Sequence, residues 1–256
     1  MPATFTVSLA ALNILSEHLN TSLRTFPFEP PLVGQFIEER ERIADAVWND
    51  LVQRDLAIRP GELHENVALA LRLLTTATTG IAVLGTAHDL TIAARACGKG
   101  KHAVLAVEHD TRLRFTTIFP TALAREAVGL LPQLPAGPGR SITVTNRSAD
   151  RKPLEDNEDR SFLRQPRAAR GATREDRELA SLMSRPSTGG GFFAVTHRDQ
   201  MGRQQTSSEL TWMDTEAGRY LIRHHPEQDG PGRTTVSPAD TGRLVEALRS
   251  LACPTA

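Results

Sequence analysis

Apolar positions change period several times along the chain. Thr4-Phe5-Thr6-Val7 alternates as a strand does, and Leu9, Leu12, Leu15 and Leu19 then recur at helical spacing, which predicts a short strand running into a helix. Phe26-Pro27-Phe28-Glu29-Pro30-Pro31 is expected to stop that helix, because proline fixes φ, lacks an N–H and pushes the preceding residue out of the α region. Within Glu38–Leu56 the residues Ile43, Val47, Trp48 and Leu51 share a helical face, as do Val67, Leu71 and Leu74 within Leu63–Leu74, with a turn at Pro60-Gly61 between the two helices. Beyond Gly80 short apolar runs follow at Ile81–Leu84, Leu90–Ala96, Ala103–Val107 and Leu113–Phe119. Their linkers, Gly98-Lys99-Gly100 and His109-Asp110-Thr111, predict antiparallel hairpins. A helix from Pro120 to about Leu131 precedes a closing run of prolines and glycines, Pro132 to Pro138.

The same plan then recurs. Ser141-Ile142-Thr143-Val144 parallels the first strand, Thr173–Ser184 reads as a helix, and strands follow at Gly191–His197, Leu210–Met213 and Gly218–Arg223. Thr234-Thr235-Val236-Ser237-Pro238 matches Thr116-Thr117-Ile118-Phe119-Pro120, so Pro238 is expected to open a last helix as Pro120 opens the earlier one, with Leu244, Leu248 and Leu251 as its stripe. The expected fold is α+β, a single domain of two related units, about 1–138 and 139–256, sharing one sheet. Residues 147–178 carry nine basic and eight acidic side chains with little that is apolar, which predicts a mobile charged linker at about 147–174.

Composition narrows the function. The 256 residues hold 30 basic and 30 acidic side chains, and a neutral chain has no long-range pull toward nucleic acid or anionic lipid. No apolar run is long enough for a membrane span and no basic-then-apolar leader opens the sequence, so a cytoplasmic location is expected. Protein or small-molecule partners remain.

Motifs for chemistry are missing where they would be needed. No serine lies in Gly-x-Ser-x-Gly, and both Gly98-Lys99-Gly100-Lys101 and Gly189-Gly190-Gly191 precede strands, so they read as flexible turns and not as phosphate loops. The eight histidines include no helical pair three or four apart, and Glu38-Glu39 sits on a solvated helix. The reading is a protein that is not an enzyme and needs no cofactor or metal.

Leu210-Thr211-Trp212-Met213-Asp214-Thr215-Glu216-Ala217-Gly218-Arg219-Tyr220-Leu221 resembles a hairpin of the EspG family, chaperones of ESX (type VII) secretion in actinobacteria. Ser8–Leu12, Glu39–Ala44, Leu130–Ser141, Arg185–Thr188 and Val236–Asp240 agree with it in order. The resemblance implies quasi-twofold symmetry, a largely antiparallel central sheet and flanking helical bundles. It also implies a cytoplasmic chaperone that covers the apolar tip of a helical PE/PPE-type substrate and keeps it soluble for export. A small-molecule-binding or enzymatic α+β protein with a pocket between its halves is the alternative.

Strand alternation offers a partner face. If Phe193, Val195, Trp212, Tyr220 and Ile222 face the helices, then Phe192, Met213 and Leu221 point the other way beside Thr196, Thr211, Arg219 and Arg223. Those last seven are the expected partner-binding residues. If helices cover both faces, all of them are core.

Overall fold

The computed structural model describes residues 4–88, 90–145, 174–199, 201–225 and 232–252. The first half runs β1 (Thr4–Ser8), α1 (Leu9–His18), α2 (Ile37–Gln53), β2 (Ala57–Arg59), β3 (Glu62–Leu63), α3 (Glu65–Thr76), β4 (Thr79–Ala87), β5 (Leu90–Lys99), β6 (His102–His109), β7 (Arg112–Ile118), a 3-10 turn (Pro120–Ala122) and α4 (Leu123–Val128). The second runs β8 (Ile142–Thr145), α5 (Arg174–Met183), β9 (Ser187–Arg198), β10 (Gln204–Thr215), β11 (Gly218–His225), β12 (Arg233–Pro238) and α6 (Thr241–Ala252). The linker expected at 147–174 lies outside the described residues, apart from Arg174, which begins α5.

One ten-stranded sheet, in the order β1-β7-β6-β5-β4-β9-β10-β11-β12-β8, carries the fold, and its neighbours pair antiparallel. From either edge the order is the same: opening strand, last strand, then inward to the first strand of the meander. The halves meet where β4 pairs with β9, from Thr79 opposite His197 to Ala87 opposite Gly189.

The sheet has an apolar side chain at every second position, so each face collects its own core. On one face Ile81, Val83, Ala96, Leu105, Phe193, Val195, Trp212 and Leu221 pack against α4 and α6. On the other, Val7, Cys97, Val104, Leu113 and Phe115 pack beneath α1, α2 and α3. Farther along that second face Met213, Tyr220, Ile222 and Val236 meet Leu179 and Leu182 of α5. Between these two packed regions lies a small group, Ala82, Phe192 and Ala194, with Leu84 beside it.

Several boundaries differ from the sequence reading for local reasons. α1 starts where Ser8 Oγ accepts the Ala11 N–H at 3.1 Å, and it stops at His18, well before the prolines, with Asn20 at a φ of 47°. Pro60-Gly61 turns the β2–β3 hairpin instead of joining two helices directly. α4 ends at Val128, ahead of Gly129, and not near Leu131. Pro120 opens its 3-10 turn as expected, but Pro238 ends β12 opposite Tyr220. Asp240 caps α6 instead, its Oδ1 accepting the Arg243 N–H at 2.8 Å, because a side-chain acceptor can satisfy a free helix N–H and proline cannot.

The glycine run is also corrected. Gly189, Gly190 and Gly191 lie inside β9, opposite Ala87, Thr86 and Gly85 of β4, and form no turn.

Glu108 on β6 gives a pH prediction. Burial first, and the negative charge of Glu29 second, push its carboxyl above the usual range. The fold therefore favours the protonated form, so ionised Glu108 costs stability above its folded pKa. That cost disappears as pH falls through the folded and then the ordinary value. Glu108→Gln is expected to raise Tm by about 1 °C at neutral pH and to leave it unchanged near pH 3. Thermal melts at the two pH values decide it; an equal gain at both refutes it.

Candidate partner-binding cleft

Where the second sheet face passes between the α1–α3 lobe and the α5 region, a cleft of about 640 Å³ remains open. Ala82, Arg95, Phe192, Ala194 and Thr196 belong to the sheet, while Thr21, Ser22, Arg24, Thr25 and Phe26 come from the loop after α1, and Leu74 and Thr75 from the end of α3. Arg198, Gln204, Thr206 and Glu209 complete the lining, so both halves contribute. Through Thr21, Ser22 and Arg24 it continues into a second depression of about 400 Å³ beside Leu32, whose side chain is 87% exposed.

Two side chains set its character. The Phe26 ring stacks on Phe192, centroids 5.8 Å apart and planes 18° from parallel, yet Phe26 stays 43% exposed while Phe192 is buried. Arg95 is buried at 6% exposure; its Nη1 donates to the Phe26 carbonyl at 2.9 Å and its Nη2 to Thr196 Oγ1 at 3.2 Å. Gly80 makes room for it, since a Cβ there would lie 2.7 Å from Thr196 Oγ1 and 3.0 Å from Arg95 Nη2. The arrangement suits recognition by stacking and charge. No histidine and one carboxylate, Glu209, are among the lining residues, and the described residues hold no cluster of three His, Cys, Asp or Glu placed to bind a metal.

The seven residues expected to bind a partner do not share a face. Directly opposed residues of antiparallel strands project the same way, and Trp212 stands opposite Leu221 while Met213 stands opposite Tyr220. The reading that grouped Trp212 with Tyr220 and Ile222 is therefore off by one residue on β11, and such a slip exchanges every side chain between faces. Phe192, Thr196, Thr211 and Met213 lie on the cleft face, but only Phe192 and Thr196 line the cleft, Met213 being packed near α5. Leu221 belongs to the core beneath α4 and α6, and Arg223, opposite Leu210, shares that face. Arg219 is wholly buried: its Nε and Nη2 bind Asp214 Oδ1 and Oδ2 at 2.6 and 2.8 Å. Phe192, Met213 and Leu221 are all buried, as expected of a sheet with helices packed on both faces.

Phe26 and Arg95 are not among the seven binding residues that strand alternation suggests. A signal existed for each: an exposed-loop aromatic directly before a proline, and a lone charge inside the apolar strand Leu90–Cys97.

A family model described as the EspG family matches residues 8–250. Among solved structures, the Mycobacterium tuberculosis type VII secretion system chaperone EspG5, in complex with the PE25–PPE41 dimer, superposes with a TM-score of 0.62. That likeness covers 99% of this chain and 98% of the other at 10% identity, a likeness of fold. No curated protein matches by sequence. No helix among the described residues is long and apolar enough to cross a membrane.

Proposed function

Since the chain belongs to the EspG family, we propose that it is a cytoplasmic chaperone of type VII secretion. It holds the apolar tip of a helical PE/PPE-type protein in the cleft on the second sheet face, and it does so by binding alone, without catalysis. The observation that carries this reading is the open cleft with a half-exposed Phe26 stacked on Phe192. An aromatic platform in an otherwise polar opening gives an apolar partner surface a place to leave water. Covering such a surface keeps a substrate from aggregating, and mass action supplies the protection with no nucleotide or metal.

Phe26→Asp tests it. The change replaces apolar contact area with a charge that binding would desolvate, so affinity for a PE–PPE pair of the source organism, co-expressed and captured by the wild type, is expected to fall at least about tenfold. Folding should hardly respond, because exposed side chains contribute about 0.5 kcal/mol or less. A folded variant with undiminished affinity would move the partner surface elsewhere, and a wild-type chain that captures no PE–PPE pair would defeat the chaperone reading itself.

A further inference from the structure

We propose that the cleft selects partners carrying an acidic residue at the tip, its carboxylate seating on Arg95 while an apolar neighbour packs on the Phe26–Phe192 stack. This rests on the chaperone reading and states which chemistry the partner must bring. Arg95 is a buried cation whose described hydrogen-bond partners are both neutral, a backbone carbonyl and a hydroxyl. Its Nε–H is buried without a hydrogen-bond partner, and the Cys97 thiol that faces the guanidinium is held in its neutral form by burial. Burying a guanidinium without an anion is costly, and the cost is recovered when a carboxylate arrives with good geometry.

The surroundings point the same way. Arg24 and Arg198 also line the cleft, against Glu209 alone among the described residues, so its described lining carries excess positive charge. Arg198 is held by the Gly202 carbonyl at 2.6 Å and Gln204 Oε1 at 3.2 Å, and its Nε likewise lacks a partner. Because Arg95 binds the carbonyl of Phe26, the charged and aromatic sites adjoin by construction. An acidic residue next to an apolar one on a partner loop matches that pair. The continuation toward exposed Leu32 gives room for a polypeptide segment beyond what a small anion fills.

The test uses full-length chain and a PE–PPE pair that the wild type captures. Arg95→Gln, which keeps hydrogen bonding and removes charge, is expected to weaken binding at least about tenfold and to flatten its dependence on salt. In parallel, each Asp or Glu at the partner's tip is changed to its amide against the wild-type chaperone. One such change should reproduce the loss, and combined with Arg95→Gln it should add little more. Should Arg95→Gln fail to fold, the partner-side scan alone decides, and a tip with no single acidic position worth tenfold overturns the proposal.

A folded Arg95→Gln that binds the pair as tightly as wild type overturns it too, while leaving the chaperone reading intact. Inorganic phosphate is the control probe. If millimolar phosphate raises the melting temperature through Arg95 while partner affinity ignores that residue, the cleft is a small-anion site and the proposal falls.

Discussion

Asp214→Ala is expected to cost about 3–5 kcal/mol, because removing one member of a buried ion pair strands the other's charge away from water. In a chain of this length that is on the order of 10 °C in Tm. Asp214 and Arg219 are 1% and 0% exposed, and Asp214 is the carboxylate that the guanidinium binds through two nitrogens. Arg219 Nη1 already lacks a partner, so the site has no reserve of hydrogen bonds to absorb the loss. The pair also anchors the connector between the halves: Arg219 Nη2 donates to the Pro132 carbonyl at 3.0 Å, and its backbone exchanges hydrogen bonds with Pro135 and Gly137. Removing both charges, as Asp214→Leu with Arg219→Met, should recover most of the loss, since a buried pair is often replaceable by apolar groups of similar volume. Urea unfolding of the three proteins measures this. An Asp214→Ala variant within about 1 kcal/mol of wild type would show that water reaches Arg219 and that the pair is not sealed.

That anchor explains why the most recognisable stretch of the sequence is not the binding site. Leu210–Leu221 and Leu130–Ser141 were the longest segments of family resemblance, and in the fold they meet each other. Gly218, at a φ of 126°, lets the turn after β10 approach Pro135, Tyr220 Oη donates to the Pro138 carbonyl at 3.0 Å, and bare Gly137 accommodates the Tyr220 ring. Recognition thus came from scaffold, where backbone packing restricts each residue. Strand positions and the antiparallel order were legible for a related reason, since alternation and turn residues are local signals. What was not legible is non-local. The pairing of Trp212 with Leu221 depends on the length of the turn at Glu216-Ala217, and a one-residue choice there inverted the faces. The cleft was harder still. Phe26 and Phe192 lie far apart in sequence, and nothing near Phe26 in the chain announces which strand it will cover.

Gly191→Ala is expected to prevent assembly of the central seam, at about 4 kcal/mol or more, and to abolish soluble expression or leave an aggregated product. A Cβ at this position would run into the Leu84 carbonyl and come within 2.5 Å of both the Gly85 Cα and the Trp212 ring. Two of those three are backbone on the facing strand, so relief requires parting β4 from β9, the one pairing that joins the two halves of the sheet. Because the obstruction is backbone, shrinking the indole with Trp212→Leu should not rescue the variant. Gly190→Ala is the matched control: its Cβ meets only the Trp212 carbonyl, at 3.1 Å, and Met213 Cα at 3.8 Å, and the position projects to the opposite face. It should fold with a loss of about 1 kcal/mol. Circular dichroism and gel filtration of the two single variants separate the cases. If Gly191→Ala purifies as a monomer melting within about 3 °C of wild type, then β4 and β9 can part and the halves do not depend on this close contact. If Trp212→Leu restores it, the indole alone sets the limit, and the glycine exists to seat a tryptophan and not to let two strands touch.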